Sequence, residues 1–137
     1  MALNSLVPQT ITNRYSDLNL SFIANPVRKD IGILYDADAV KQAVVNLVLT
    51  KNYERPFHPE IGCNATALLF ENISPITALG IKTSIQNVIT NFEKRVQLQT
   101  VAVVADPDNN GYNATITFYV LNVRDLQTVD FFLERLR

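Results

Sequence analysis

Tryptophan is absent from this 137-residue chain, and cysteine and histidine occur once each, as Cys63 and His58. A single thiol cannot close an intramolecular disulfide. One thiol and one imidazole are also too few soft ligands for a zinc site, so no metal or other cofactor is expected. Cys63 reads as a small buried apolar group. An excess of one charge is missing too: twelve basic and thirteen acidic side chains give a formal net charge of −1. That balance supplies no field for gripping nucleic acid or an anionic membrane. No run approaches the roughly 18 to 20 apolar residues of a membrane span. No basic stretch precedes an apolar one near Met1, so the expectation is a protein made and kept in the cytosol until assembly, with neither nucleic acid nor membrane as partner. Internal repeats and low-complexity tracts are lacking as well.

What is present is an apolar content of 47%, enough for one core in one domain. The most unusual stretch is Glu54-Arg55-Pro56-Phe57-His58-Pro59-Glu60-Ile61-Gly62-Cys63, followed by Phe70-Glu71-Asn72-Ile73-Ser74-Pro75. Pro56 and Pro59 fix φ and push the residues before them out of the helical region, which predicts a stiff, extended connector between helices. Phe57 and Ile61 are expected to dock on the core. Gly62 permits a sharp exit, and Arg55, His58 and Glu60 are left as polar points on a rigid loop.

Periodicity supplies the rest. Asn19 to Asn25, ending at Pro26, reads as a short strand and Asp30 to Tyr35 as a second. From Asp36 or Asp38, either of which can cap, Val40, Val44, Leu47 and Val48 recur at helical spacing to about Thr50. Ala65 to Phe70 is a short helical turn. Ser74 caps a long helix with Pro75 at its first position, and Ile81, Ile85, Val88, Ile89 and Phe92 form its apolar stripe. Beyond Phe92 the pattern alternates: Val96, Leu98, Val101 and Val103 lead to the turn cluster Asp106-Pro107-Asp108-Asn109-Asn110-Gly111. The return strand, Tyr112 to about Val123, puts Ala114, Ile116, Phe118 and Val120 on one face. Thr128 to Arg137 alternates as a third strand, while Leu126, Val129, Phe132, Leu133 and Leu136 also fit a helix. The fold class is α+β, with two main helices packed on a mostly antiparallel sheet built largely from the C-terminal third. Met1 to Ser16 reads as an N-terminal arm, and 17–137 as a single domain.

The Arg55 to Cys63 string, with its spacing to Phe70-Glu71-Asn72 and Ser74-Pro75, resembles the baseplate wedge family of contractile-tailed bacteriophages, whose relatives include a type VI secretion baseplate subunit. The resemblance covers Asp17 to Arg137. It implies a structural subunit of the virion tail baseplate, present in six copies, whose partners are other baseplate wedge subunits and the tail sheath protein. Arg55, Pro56, Phe57, His58, Pro59, Glu60 and Gly62 match the family's connector. Glu93 and Arg95 match the ends of a motif commonly reading Glu-Pro-Arg, which the resemblance implies contacts the wedge bundle, with Lys94 replacing the proline. The C-terminal strand, with Val129, Phe131, Leu133 and Arg135, is implied to be the platform on which sheath starts to polymerise. The bland alternatives are a solvated helix end at Glu93 to Arg95 and an ordinary edge strand guarded by Arg135 and Arg137.

The family was long known as a tail lysozyme, so a peptidoglycan hydrolase is the competing reading. Glycoside hydrolysis needs two carboxylates, for which Glu54, Glu60 and Glu71 are the candidates. Arg55 and His58 sit beside Glu54 and Glu60 and favour the ionised form rather than a general acid. No tryptophan is available to grip a polysaccharide. His58, without a nearby serine or second histidine, reads as a loop hydrogen-bonding residue. These residues point away from an enzyme.

Overall fold

A computed structural model describes residues 14–121 and 123–135. Most of the expected arm, Met1 to Ser16, therefore lies outside the described residues, as do Leu136 and Arg137. The elements run β1 (Ser16–Leu18), β2 (Ile33–Tyr35), α1 (Asp36–Leu49), α2 (Ala65–Leu68), α3 (Pro75–Phe92), β3 (Val96–Asp106), β4 (Gly111–Val120) and β5 (Val123–Glu134). Strands β3, β4 and β5 form an antiparallel sheet in that order, and β1 pairs antiparallel with β2 in a separate two-stranded sheet. The α+β class is as expected.

Helix α3 begins where its sequence says it should. Ser74 Oγ accepts from the Thr77 N–H at 3.1 Å, and Pro75 stands at the first helical position, where its missing donor costs nothing. The stripe Ile81, Ile85, Val88 and Ile89 is buried, and the helix lies along β3. Helix α1 presents Val40, Val44 and Val48 to the same core and rests on α3 and β5. Between them, β4 contributes Tyr112, Ala114, Ile116, Phe118 and Val120, all buried on one face. Apolar residues on β3 change parity between Leu98 and Val101. A bulge between Leu98 and Thr100 absorbs the extra residue and returns Val101 and Val103 to the core face.

Four expectations about boundaries are corrected. Asn19 to Asn25 is not a strand: Asn19 Oδ1 accepts from the Ser21 N–H, the Asn19 carbonyl accepts from Phe22 N–H, and Phe22 turns through φ +53°. The strand lies just before it, at Ser16–Leu18. Neither Asp36 nor Asp38 caps α1, whose N-cap is Tyr35. Asp36 takes φ +43° where β2 runs directly into the helix, and its Oδ1 accepts from the Arg14 and Tyr15 N–H groups instead. The return strand stops at Val120 rather than Val123, and β5 opens at Val123 rather than Thr128. Without Gly or Pro there, nothing in the alternation places the turn between Val120 and Val123. The C-terminal segment is strand, since pairing with β4 decides between two periods that the sequence fits equally.

Candidate functional site

The junction of α3 and β3 is built from Glu93 and Arg95. Glu93 closes α3, its N–H donating to the Ile89 carbonyl, and the residue is only 8% exposed. Arg95 meets it as a fork: Nε donates to Oε1 at 2.7 Å and Nη2 to Oε2 at 2.6 Å. The Arg95 backbone N–H adds a third bond to Oε1. This bidentate hold, with the neighbouring charge, raises the guanidinium pKa. Tyr15 lies under the guanidinium, 5.4 Å from ring centroid to Arg95 Cζ, a cation–π contact. The missing proline does not prevent the break, because the chain turns with Val96 N–H donating to the Glu93 carbonyl while Lys94 stays exposed. Tyr15, eighty positions away in sequence, carried no signal of this role.

The connector departs from expectation in shape and packing. It is a closed loop rather than an extended spacer: Cys63 N–H donates to the Thr50 carbonyl at 2.8 Å, and Lys51 bridges to Cys63 at the base. Gly62 makes this pinch possible, since a Cβ there would sit 2.6 Å from the Lys51 carbonyl carbon. Cys63 is buried as expected, and burial pushes its thiol pKa up. Phe57 is not a core anchor. It is 97% exposed at φ +68°, and Ile61 is only half-buried. Loop closure by backbone bonds, not apolar docking, fixes the segment.

Arg55, Pro56, His58, Pro59 and Glu60 are all exposed. His58 Nδ1 lies 3.1 Å from Glu60 Oε1. Hydrogen bonding from its own backbone N–H, then from His58, holds the Glu60 carboxyl below the usual value. Glu54 Oε2 accepts from the Lys51 N–H. The Glu60 carboxylate, kept ionised at the surface, is the opposite of a raised general acid.

On β5, Leu133 is buried and Val129 and Phe131 are packed against the core. Arg135 ties the strand's end to the loop before α3, donating from Nε to the Glu71 carbonyl and from Nη2 to Asn72 Oδ1. A cleft of about 190 Å³ lined by Glu60, Gly62, Asn91 and Phe92 lies between the connector and the end of α3, and no cluster of His, Cys, Asp or Glu suited to a metal occurs among the described residues. No helix among the described residues is long and apolar enough to cross a membrane.

Against known proteins, residues 35–123 match the family described as baseplate wedge protein gp25. The baseplate wedge protein gp25 of Enterobacteria phage T4 is 29% identical over 115 residues, which span 84% of this chain and 86% of that one. Among solved structures, a Geobacter sulfurreducens protein named as a tail lysozyme superposes with a TM-score of 0.69 at 17% identity, covering 76% of this chain and 96% of the other. A chain of the six-fold symmetrised baseplate of the anti-feeding prophage gives 0.67 at 24% identity, covering 81% and 89%. At such identities the two structures speak for the fold, and the family match, spanning well over half of the sequence, speaks for descent. This chain belongs to the baseplate wedge protein gp25 family.

Proposed function

We propose that this baseplate wedge protein is a non-catalytic structural subunit, in six copies around the tail axis, that joins the wedge to the first ring of sheath. The observation that supports this most is β5, a strand of 12 residues at the margin of its sheet, with no further strand beside it among the described residues. Arg135 N–H donates to the Asn110 carbonyl. By the parity of the antiparallel ladder, Leu133, Phe131 and Val129 therefore turn their backbone groups towards β4. Thr128, Asp130, Phe132 and Glu134 turn theirs to the open side. An extended segment of a sheath subunit can pair with that row. The side chains of Val129, Phe131 and Leu133 hold the strand on its core, so recognition runs through the backbone.

The Glu93–Arg95 clasp is the proposed contact with the wedge bundle. Only two of the five guanidinium donors of Arg95 serve Glu93, and the partly exposed remainder can reach a carboxylate or carbonyl of a partner subunit. Residues 1–16 act in this reading as an arm on the single domain formed by the rest, anchored to it at Tyr15 and Ser16.

Proline at position 130 tests the platform. Asp130→Pro deletes an outward N–H while sparing the β4 ladder, so the isolated chain should keep its circular dichroism spectrum, wedges should form, and sheath should fail to start. Sheath of normal length on such baseplates would rule out strand addition at β5.

A further inference from the structure

The loop between α1 and α2 carries an aromatic side chain in an arrangement that the isolated chain does not need. Its frame is fixed at several levels: the pinch at Lys51 and Cys63, the Tyr53 N–H to Pro59 carbonyl bond at 3.0 Å, the Ile61 N–H to His58 carbonyl bond, and the two proline rings. On this frame stands Phe57, 97% exposed and held at φ +68°. A bulky side chain at positive φ is a strained choice where glycine or asparagine would serve, and an exposed phenyl ring gains nothing from the fold. Strain of this kind persists where function uses it.

The charges around the ring are unevenly committed. Glu54 is taken by the Lys51 N–H and Glu60 by His58. The ammonium of Lys51 and the guanidinium of Arg55 make no hydrogen bond or ion pair among the described residues. The loop therefore offers an aromatic ring beside cations whose side chains are uncommitted, while its carboxylates, though still charged, are each already hydrogen-bonded within the loop. A cleft of about 300 Å³ that opens beside the loop's base is lined by Lys51, Tyr53 and Phe70, so the basic and aromatic character continues past the apex.

We propose that Phe57 is a docking knob that enters an apolar pocket with an acidic rim on a different protein of the same baseplate. The proposal rests on the structural-subunit reading above and adds a third contact to it. Aromatic side chains with low residual entropy, seated on a rigid loop, lose little freedom on binding and are the residues that dominate interfaces. The acidic rim follows from Lys51 and Arg55. A second copy of this chain is the poorer fit: its own apolar groove between α3 and β3, lined by Ala78, Leu79 and Val104, has Lys82 as its charged lining residue, which would oppose Arg55.

The test places p-benzoylphenylalanine at position 57 of the full chain and photolyses assembled baseplates. The expected product is a cross-link to a non-identical baseplate protein, at apolar residues flanked by Asp or Glu. In parallel, Phe57→Gly should unfold at the same or a higher temperature in isolation, yet enter baseplates at least about tenfold less well, as loss of an interface anchor requires. Arg55→Glu should enter poorly too. A cross-link to a second copy, to sheath or to nothing overturns the proposal, as does normal incorporation of Phe57→Gly or a lower unfolding temperature for it. Absence of the unaltered chain from baseplates would instead overturn the structural-subunit reading itself.

Discussion

The α3 and β3–β5 half and the segment before α1 use the same apolar residue types to opposite ends. In the sheet, Tyr112, Ile116 and Phe118 are fully buried, whereas Leu20, Phe22, Ile23 and Val27 face outward near the N-terminus. Hydrogen bonds from backbone and side chains, not apolar packing, hold the latter segment. Gln42 on α1 donates to the Leu18 carbonyl and accepts from the Leu20 N–H, and Asn25 Oδ1 accepts from the N–H groups of Val27 and Arg28. Where polar bonds set the backbone, apolar side chains are free to face solvent.

Matched substitutions break this comparison most sharply. Phe118→Ala empties a site with no solvent exposure and should cost about 3–5 kcal/mol, lowering the unfolding temperature on the order of 10 °C or more. Phe22→Ala, at 64% exposure, should move it by less than about 0.5 kcal/mol. Equal effects in thermal unfolding would mean that the two regions share one core.

The same contrast explains what could be read from sequence. Helix α3 was legible because its cap, its proline and its stripe all serve burial within one chain, and the inward face of β4 was legible for the same reason. Phe57 was misread because its sequence announces an apolar residue without saying whether the chain's own core covers it. The Asn19 to Asn25 segment was misread because Asn19 bonds its own backbone, which alternation of apolar residues does not reveal. Of the site, the charge pair at Glu93 and Arg95 was visible as two residues. Their mutual fork and the ring of Tyr15 beneath it depend on a long-range approach that no local pattern encodes.

Arg95 lies on the border between the regions, linking the Glu93 helix end to Tyr15. Arg95→Ala leaves a buried carboxylate without its fork, but the pair is open on the arginine side, where the side chain is 38% exposed. The expected loss is about 1–2 kcal/mol, between the small value of a surface pair and the larger one of a broken buried pair. Denaturant unfolding of the purified variant measures it. A loss well above that range would make the junction part of the core proper.

Within the packed half, the hydroxyl of Tyr112 is buried with no hydrogen-bond partner among the described residues. An unsatisfied buried donor is a liability, so Tyr112→Phe should be neutral or stabilise by up to about 1 kcal/mol, read as an unchanged or higher unfolding midpoint. Destabilisation would show that the hydroxyl has a use the packing does not display.

The smallest effect belongs to the polar turn at the tip of the β3–β4 hairpin. Asp106 Oδ2 accepts from the side-chain amide of Asn109 at 2.8 Å, Oδ1 from its backbone N–H, and Asn113 adds a further bond. These bonds, the Asn109 side chain foremost, hold the Asp106 carboxyl below its ordinary value of 3.8. A carboxyl with a depressed folded pKa binds its proton more readily when unfolded, so its contribution is present above 3.8 and is lost as pH falls through the lower, folded value. Unfolding temperatures of the unaltered chain and of Asp106→Asn should thus differ slightly at neutral pH and converge in strong acid. A difference that persists unchanged in acid would assign the turn's stability to its shape rather than to the ionised carboxylate, and the packed half would then contain no charge-dependent element at this tip.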